Sequence, residues 1–222
     1  MSNCLGEVKV ESECLRRSYP VEDLKRTLDA MSWAKINHFH WHIVDAQSFP
    51  LVIPGFEEIA EKAAYSASQV YTPANVKDIV SFAAAVCVQY VIQCSRADGM
   101  YVLQRGIDVI VEIDTPGHTT SIAESHPEFI ACPFASPWDQ FANGSLFTSF
   151  SDCGSTHRST EPPAGQLRLA NPDTIKFTAD LVKNVASMFP SKYFSTGGDE
   201  INANCYAMDN QTQQELGMSL FK

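Results

Sequence analysis

Apolar residues recur along this chain at two spacings that take turns. Pro20 suits a first helical turn, and Val21, Leu24, Leu28 and Met31 follow it at helical spacing, predicting a helix through VEDLKRTLDAMSWA. HFHWHIV (38–44) has the aromatic and β-branched content of a strand, which the polar DAQS ends. Thr72 and Pro73 supply a cap and a first position for a helix carrying Val76, Ile79, Val80 and Ala83. DVIVEI (108–113) is almost wholly apolar, as expected of a strand buried on both faces of a parallel sheet. Asn171 and Pro172 open another helix, with Ile175, Ala179, Val182, Val185 and Phe189 on one face, and YFST (193–196) reads as strand. The alternation predicts an α/β protein built from βαβ units, with a parallel sheet and right-handed crossovers.

In such sheets the reactive groups sit where strands end and loops begin. Three predicted strand ends carry chemistry: Asp45 after HWHIV, Asp114 and His118 in EIDTPGH, and Asp199 with Glu200 in TGGDE. Neighbours in a regular strand point to opposite faces, so Asp199 and Glu200 reach one ligand only if the backbone bends. Gly197 and Gly198, lacking Cβ atoms, permit that bend. Two carboxylates packed together split their pKa values, giving one group that keeps a proton and one that stays ionised. The plain alternative is a solvated pair on a loop.

His118, opening the element after the DTPG turn, is placed to pair with a carboxylate, or else to stand on a solvated face. His40 and His42 share a strand face, a spacing with which several metal-dependent barrel hydrolases begin their site. His118, Asp114 and Asp45 are the residues that could complete such a site. Histidines satisfied within the core or the pocket wall are the competing reading.

Two segments break the alternation, residues 86–104 and 144–160, where short helix-to-strand connections are expected. Removing the first leaves SFAAARGIDVIVEID, a helix closed by Gly106 that leads straight into a strand. Both segments read as translated introns, with genuine loop insertions as the alternative.

Composition narrows the function classes. A net charge of −10 and a pI near 5.0, with no basic stripe, exclude binding to nucleic acid through phosphate neutralisation. No apolar run is long enough to span a membrane, and the first residues lack the apolar core of a signal peptide. The seven cysteines are many for a cytosolic chain, and none forms a CxxC pair. Sequons stand at Asn143 and Asn210.

Taken together, KINHFHWHIVDAQSFPL, RGIDVIVEIDTPGHT and YFSTGGDEINANCY resemble the β-N-acetylhexosaminidases of glycoside hydrolase family 20, in particular the secreted fungal ones. The resemblance implies a (β/α)8 barrel of which residues 16–222 supply the N-terminal half, about four βα units, with residues 1–15 unmatched. It implies hydrolysis of terminal N-acetyl-D-hexosamine with retention, the substrate's 2-acetamido carbonyl acting as nucleophile, and no metal or organic cofactor.

Position by position, Glu200 matches the general acid, and Asp199 matches the residue that orients the acetamido group and stabilises its developing charge. Asp45 and His118 match the relay beside the acid, Asp114 the aspartate of the histidine motif, and Arg16 a sugar-binding arginine. Cys132 and Cys205 fall where relatives carry a disulfide, and Asn210 where a glycan is expected. The expected partners are N-acetylhexosamine-terminated oligosaccharides or glycoconjugates and, by family habit, a second copy of the chain. The expected location is extracellular or vacuolar-lysosomal. The sugar-walling tryptophans and the second half of the barrel are not in these residues, so the 222-residue chain is expected to be inactive alone. A non-catalytic sugar-binding fragment is the alternative.

Overall fold

A computed structural model describes residues 19–85, 105–133, 165–198 and 201–217, together with the backbone of 7–10. Both suspected insertions, 86–104 and 144–160, lie outside the described residues, as do Arg16, Asn143, Asp199 and Glu200.

Four strands form one parallel sheet in the order β1-β2-β3-β6: β1 (Glu7–Val10), β2 (His38–His42), β3 (Asp108–Glu112) and β6 (Phe194–Ser195). β1 precedes the boundary expected at residue 16, so the sheet starts earlier than the motifs suggested. Between the strands run α1 (Val21–Trp33), α2 (Glu57–Ala63), α3 (Pro73–Ala84) and α4 (Pro172–Ser187). A two-stranded antiparallel pair, β4 (Ile130–Ala131) with β5 (Gln166–Leu167), stands apart from the main sheet. Two short helices, α5 (Ala203–Met208) and α6 (Asn210–Glu215), follow β6.

The helix starts are chemically defined. Thr72 and Asn75 form a reciprocal capping box ahead of α3, with Pro73 at its first position. Asn171 caps α4 by accepting from the Asp173 N–H, again with proline next. On α1 the buried residues are Leu24, Leu28 and Met31, as their spacing predicts.

The core lies between the helices and one face of the sheet. Phe39 and Trp41 of β2 and Val109 and Val111 of β3 point into it, with Ile79 and Ala83 of α3 and Leu181 and Val185 of α4. The opposite face behaves differently: His38, His40, Asp108 and Ile110 are only partly buried. DVIVEI is thus buried throughout on one face and, on the other, only toward its carboxyl end, where Glu112 and the neighbouring His42 are buried.

A second correction concerns α4. Its buried residues are Thr174, Phe177, Leu181 and Val185, while Ile175 is 56% exposed. The helix is rotated to bring Phe177 into an aromatic group with Phe56, His126 and Phe129, at centroid distances of 5.6, 5.0 and 4.5 Å. A large ring removes more apolar surface from water than Ile175 does, so it decides which face turns inward.

Candidate active site

The parallel strands place their carboxyl ends side by side, and the polar residues gather there. β2 ends at His42, and three residues later Asp45 sits in a tight turn closed by backbone bonds to Ser48. Asp45 is 4% exposed, and its Oδ1 accepts from the Ala46 N–H and from His118 Nδ1 at 2.8 Å. Ser121 donates to the Asp45 carbonyl at 2.7 Å, tying this turn to the one after β3.

In the turn after β3, His118 adopts φ 55°, a left-handed conformation uncommon outside glycine and frequent at functional positions. Its Nδ1 faces Asp45 and its Nε2 lies 3.8 Å from Asp114 Oδ2. One imidazole thus links the ends of β2 and β3. With its Nδ1 proton engaged by a carboxylate, the ring keeps a fixed orientation and presents Nε2 for taking or giving a proton.

Asp114 also holds the next strand end. Its Oδ1 accepts the Gly198 N–H at 2.9 Å. Gly197 has φ 60°, and a Cβ there would collide with the Asp114 carboxylate, whose own Cβ would be 3.0 Å away. Gly198 has φ 100°. The two glycines make the bend that the sequence anticipates, and Asp114 grips it.

Deeper in the same face, Glu112 bridges two histidines. Its Oε2 accepts from His40 Nε2 at 2.5 Å and from the Ser195 hydroxyl at 2.6 Å, while its Oε1 lies 2.9 Å from His42 Nδ1. Sequence reasoning passed over Glu112 and Ser195. A signal existed, since a glutamate inside an apolar run, two residues before Asp114 and on the same face, needs a partner.

One histidine of the pair, His42, belongs to a group with the donor chemistry of a metal site. His42, Glu112 and Asp114 each offer a donor atom within 4.8 Å of the others. Both Glu112 oxygens, however, are already committed to His40, His42 and Ser195, and one Asp114 oxygen to Gly198. The carboxylates of this donor set thus already carry bonds within the protein, while His42 Nε2 is buried without a hydrogen-bond partner.

Below the bend, Gln166 of β5 receives the Asn202 N–H and donates to the Asn202 carbonyl, both at 2.8 Å, imitating a strand partner. The Asn202 side chain in turn caps α5 through the Cys205 N–H. Cys205 and Cys132 form a disulfide with Cα atoms 5.8 Å apart. Asp209 caps α6 and pairs with Arg168. Asn210, the first residue of α6, is exposed.

The profile described as "Glycosyl hydrolase family 20, catalytic domain" matches residues 13–95 and 99–220. A beta-hexosaminidase of Arthroderma benhamiae is 33% identical over 192 residues, which are 85% of this chain and 26% of the relative. A chitooligosaccharidolytic beta-N-acetylglucosaminidase of Bombyx mori is 30% identical over 201 residues, 89% of this chain and 27% of the relative. Among solved structures, a chitobiase of Flavobacterium johnsoniae superposes with a TM-score of 0.64 at 24% identity, covering 95% of this chain and 26% of that one. That likeness speaks for the fold alone, an α/β arrangement of the same kind. The chain spans about a quarter of the length of the curated relatives it matches.

Proposed function

The chain belongs to glycosyl hydrolase family 20, and from that premise we propose that it carries the acid-relay half of a β-N-acetylhexosaminidase active site. The reaction is hydrolysis of a terminal N-acetyl-D-hexosamine from an oligosaccharide or glycoconjugate, with retention. The observation that carries this reading is His118 held between Asp45 and Asp114, next to a glycine bend that Asp114 grips. The sequence runs from that bend directly into Asp199 and Glu200.

In this mechanism Glu200 protonates the leaving oxygen and later activates water. Asp199 holds the 2-acetamido group while its carbonyl oxygen attacks the anomeric carbon, and its negative charge stabilises the oxazolinium ion that results. Asp45 and His118 form the relay that keeps a proton available beside the acid. Arg16 binds the outer hydroxyls of the sugar. The proposed architecture is the first four βα units of a (β/α)8 barrel, continued by further units in the whole protein, which forms a homodimer. The chemistry calls for no cofactor. The Cys132–Cys205 bond supports an oxidising location, extracellular or vacuolar-lysosomal, in which Asn210 carries a glycan.

Glu200→Gln in the whole protein tests the assignment. Protonation of the departing oxygen contributes roughly 10²- to 10⁴-fold, and less when the leaving group is already acidic. The variant is expected to lose activity of that order toward a chitobiose-like substrate and to keep more toward an activated aryl glycoside. Equal activity of variant and parent on the chitobiose-like substrate would falsify the role of Glu200.

A further inference from the structure

β5 (Gln166–Leu167) is tied to two parts of the site that are far apart in sequence. The Leu167 N–H donates to the Pro116 carbonyl at 2.9 Å, in the turn that carries His118. Gly165, the residue before, lies so close to Thr120 that a Cβ would collide with it. The Gln166 side chain meets the other part: its Oε1 accepts the Asn202 N–H and its Nε2 donates to the Asn202 carbonyl, both at 2.8 Å.

A side-chain amide offers one acceptor and a donor in the geometry of a peptide unit, so it binds a backbone residue as a neighbouring strand would. Both partners are enclosed, Gln166 2% and Asn202 8% exposed, so breaking the pair strands polar groups away from water. Gln166 is itself fixed. Its backbone pairs with Ala131 of β4, and the disulfide from the next residue, Cys132, reaches Cys205, three residues beyond Asn202. The Tyr206 hydroxyl adds a bond to the Leu167 carbonyl at 2.6 Å.

Two fixed points thus bracket the segment that the functional reading makes catalytic. Asp114 holds the Gly198 N–H at 2.9 Å, Gln166 holds Asn202 by both its backbone groups, and the sequence sets Asp199, Glu200 and Ile201 between them. We infer that Gln166 is a positioning residue for Glu200, setting the C-terminal end of this segment relative to the turn that carries His118. The inference rests on the reading of Glu200 as the acid. Gln166 touches no substrate in this scheme and acts through Asn202. Glu200 is two residues from Asn202, whereas Asp199 adjoins Gly198, on which Asp114 keeps its hold. Loss of the Gln166 anchor is therefore felt at the proton donor more than at the acetamido-binding aspartate.

The experiment compares Gln166→Met, which keeps the side-chain length and removes both bonds, with its parent in the whole protein. On a chitobiose-like substrate kcat is expected to fall about 100-fold with KM little changed, the scale that a misplacement of about 1 Å produces. On an aryl glycoside with an acidic leaving group, which needs less proton donation, the expected fall is about tenfold or less. In a Glu200→Gln background the same substitution is expected to cost no more on the first substrate than on the second. Hydrogen exchange gives a reading without substrate: the Asn202 amide is expected to exchange at least about tenfold more slowly in the parent than in the variant. A Gln166 that serves the fold alone lowers both substrates by one factor, through the amount of folded enzyme, and that outcome overturns the inference. So does a parent whose Asn202 amide exchanges as fast as the variant's. If Gln166→Met does not fold, Gln166→Asn, which keeps the amide but withdraws it by one methylene, is put to the same two substrates and decides. A selective loss in Glu200→Gln without one in Gln166→Met removes this inference alone, whereas a Glu200→Gln enzyme equal to its parent removes the functional reading and the inference with it.

Discussion

Gly197 carries two demands at one position: a left-handed backbone and the absence of any atom where Asp114 places its carboxylate. Gly197→Ala fails both. The conformation alone costs about 1–2 kcal/mol in a residue with a Cβ, and displacing Asp114 also removes the acceptor of the Gly198 N–H. We expect a loss of stability of about 2–3 kcal/mol in denaturant titration. In the whole protein we expect a loss of activity of about 100-fold, the scale that a 1 Å misplacement of catalytic groups produces. An alanine variant as stable and as active as its parent would show that the bend is not under this constraint. At this scale the sequence was informative about residue types and poor about partners. The glycines, Asp114, His118 and Asp45 announce themselves by sitting at strand ends. Glu112 signals only that it needs a partner, and which partners it has is settled by the neighbouring strand, which brings His40 and His42 to it.

Helices and strands were legible where local chemistry settles them. Thr72-Pro73 and Asn171-Pro172 fix the starts of α3 and α4, and the capping bonds lie at those residues. The rotation of a helix is a different matter, because it answers to what the helix packs against. Both Ile175 and Phe177 fit an apolar stripe on α4, and only the rings of Phe56, His126 and Phe129 select Phe177. Phe177→Ala should therefore cost about 3 kcal/mol or somewhat more, the range for large-to-small changes at buried aromatic positions. Ile175→Ala should stay within about 0.5 kcal/mol, as exposed substitutions do. Urea midpoints of the two variants provide the check, and a reversed order would return the helix to the face first read from its spacing. Strand β1 escaped sequence reasoning because EVKV is short and half charged, so only pairing with β2 identifies it.

For the molecule as a whole, the parallel order β1-β2-β3-β6 follows from the alternation of elements, whereas the face that the sheet leaves half-buried does not. Among the described residues β1 and β6 each pair on one side only. Open strand edges of this kind recruit further strands, and a partly uncovered apolar run such as DVIVEI adds to the tendency. A polypeptide of these 222 residues alone is thus expected to self-associate and to lack turnover. Size-exclusion chromatography with an aryl-glycoside assay tests both, and a monodisperse monomer with activity lost in Asp199→Ala would reverse the expectation.

The disulfide between Cys132 and Cys205 spans 73 residues of sequence. The loop it closes contains β5, α4, β6, the glycine bend and the adjacent carboxylates Asp199 and Glu200. The segment proposed to be catalytic is therefore part of a covalent ring, and a single peptide-bond cut anywhere between the two cysteines opens that ring without dividing the molecule into two pieces.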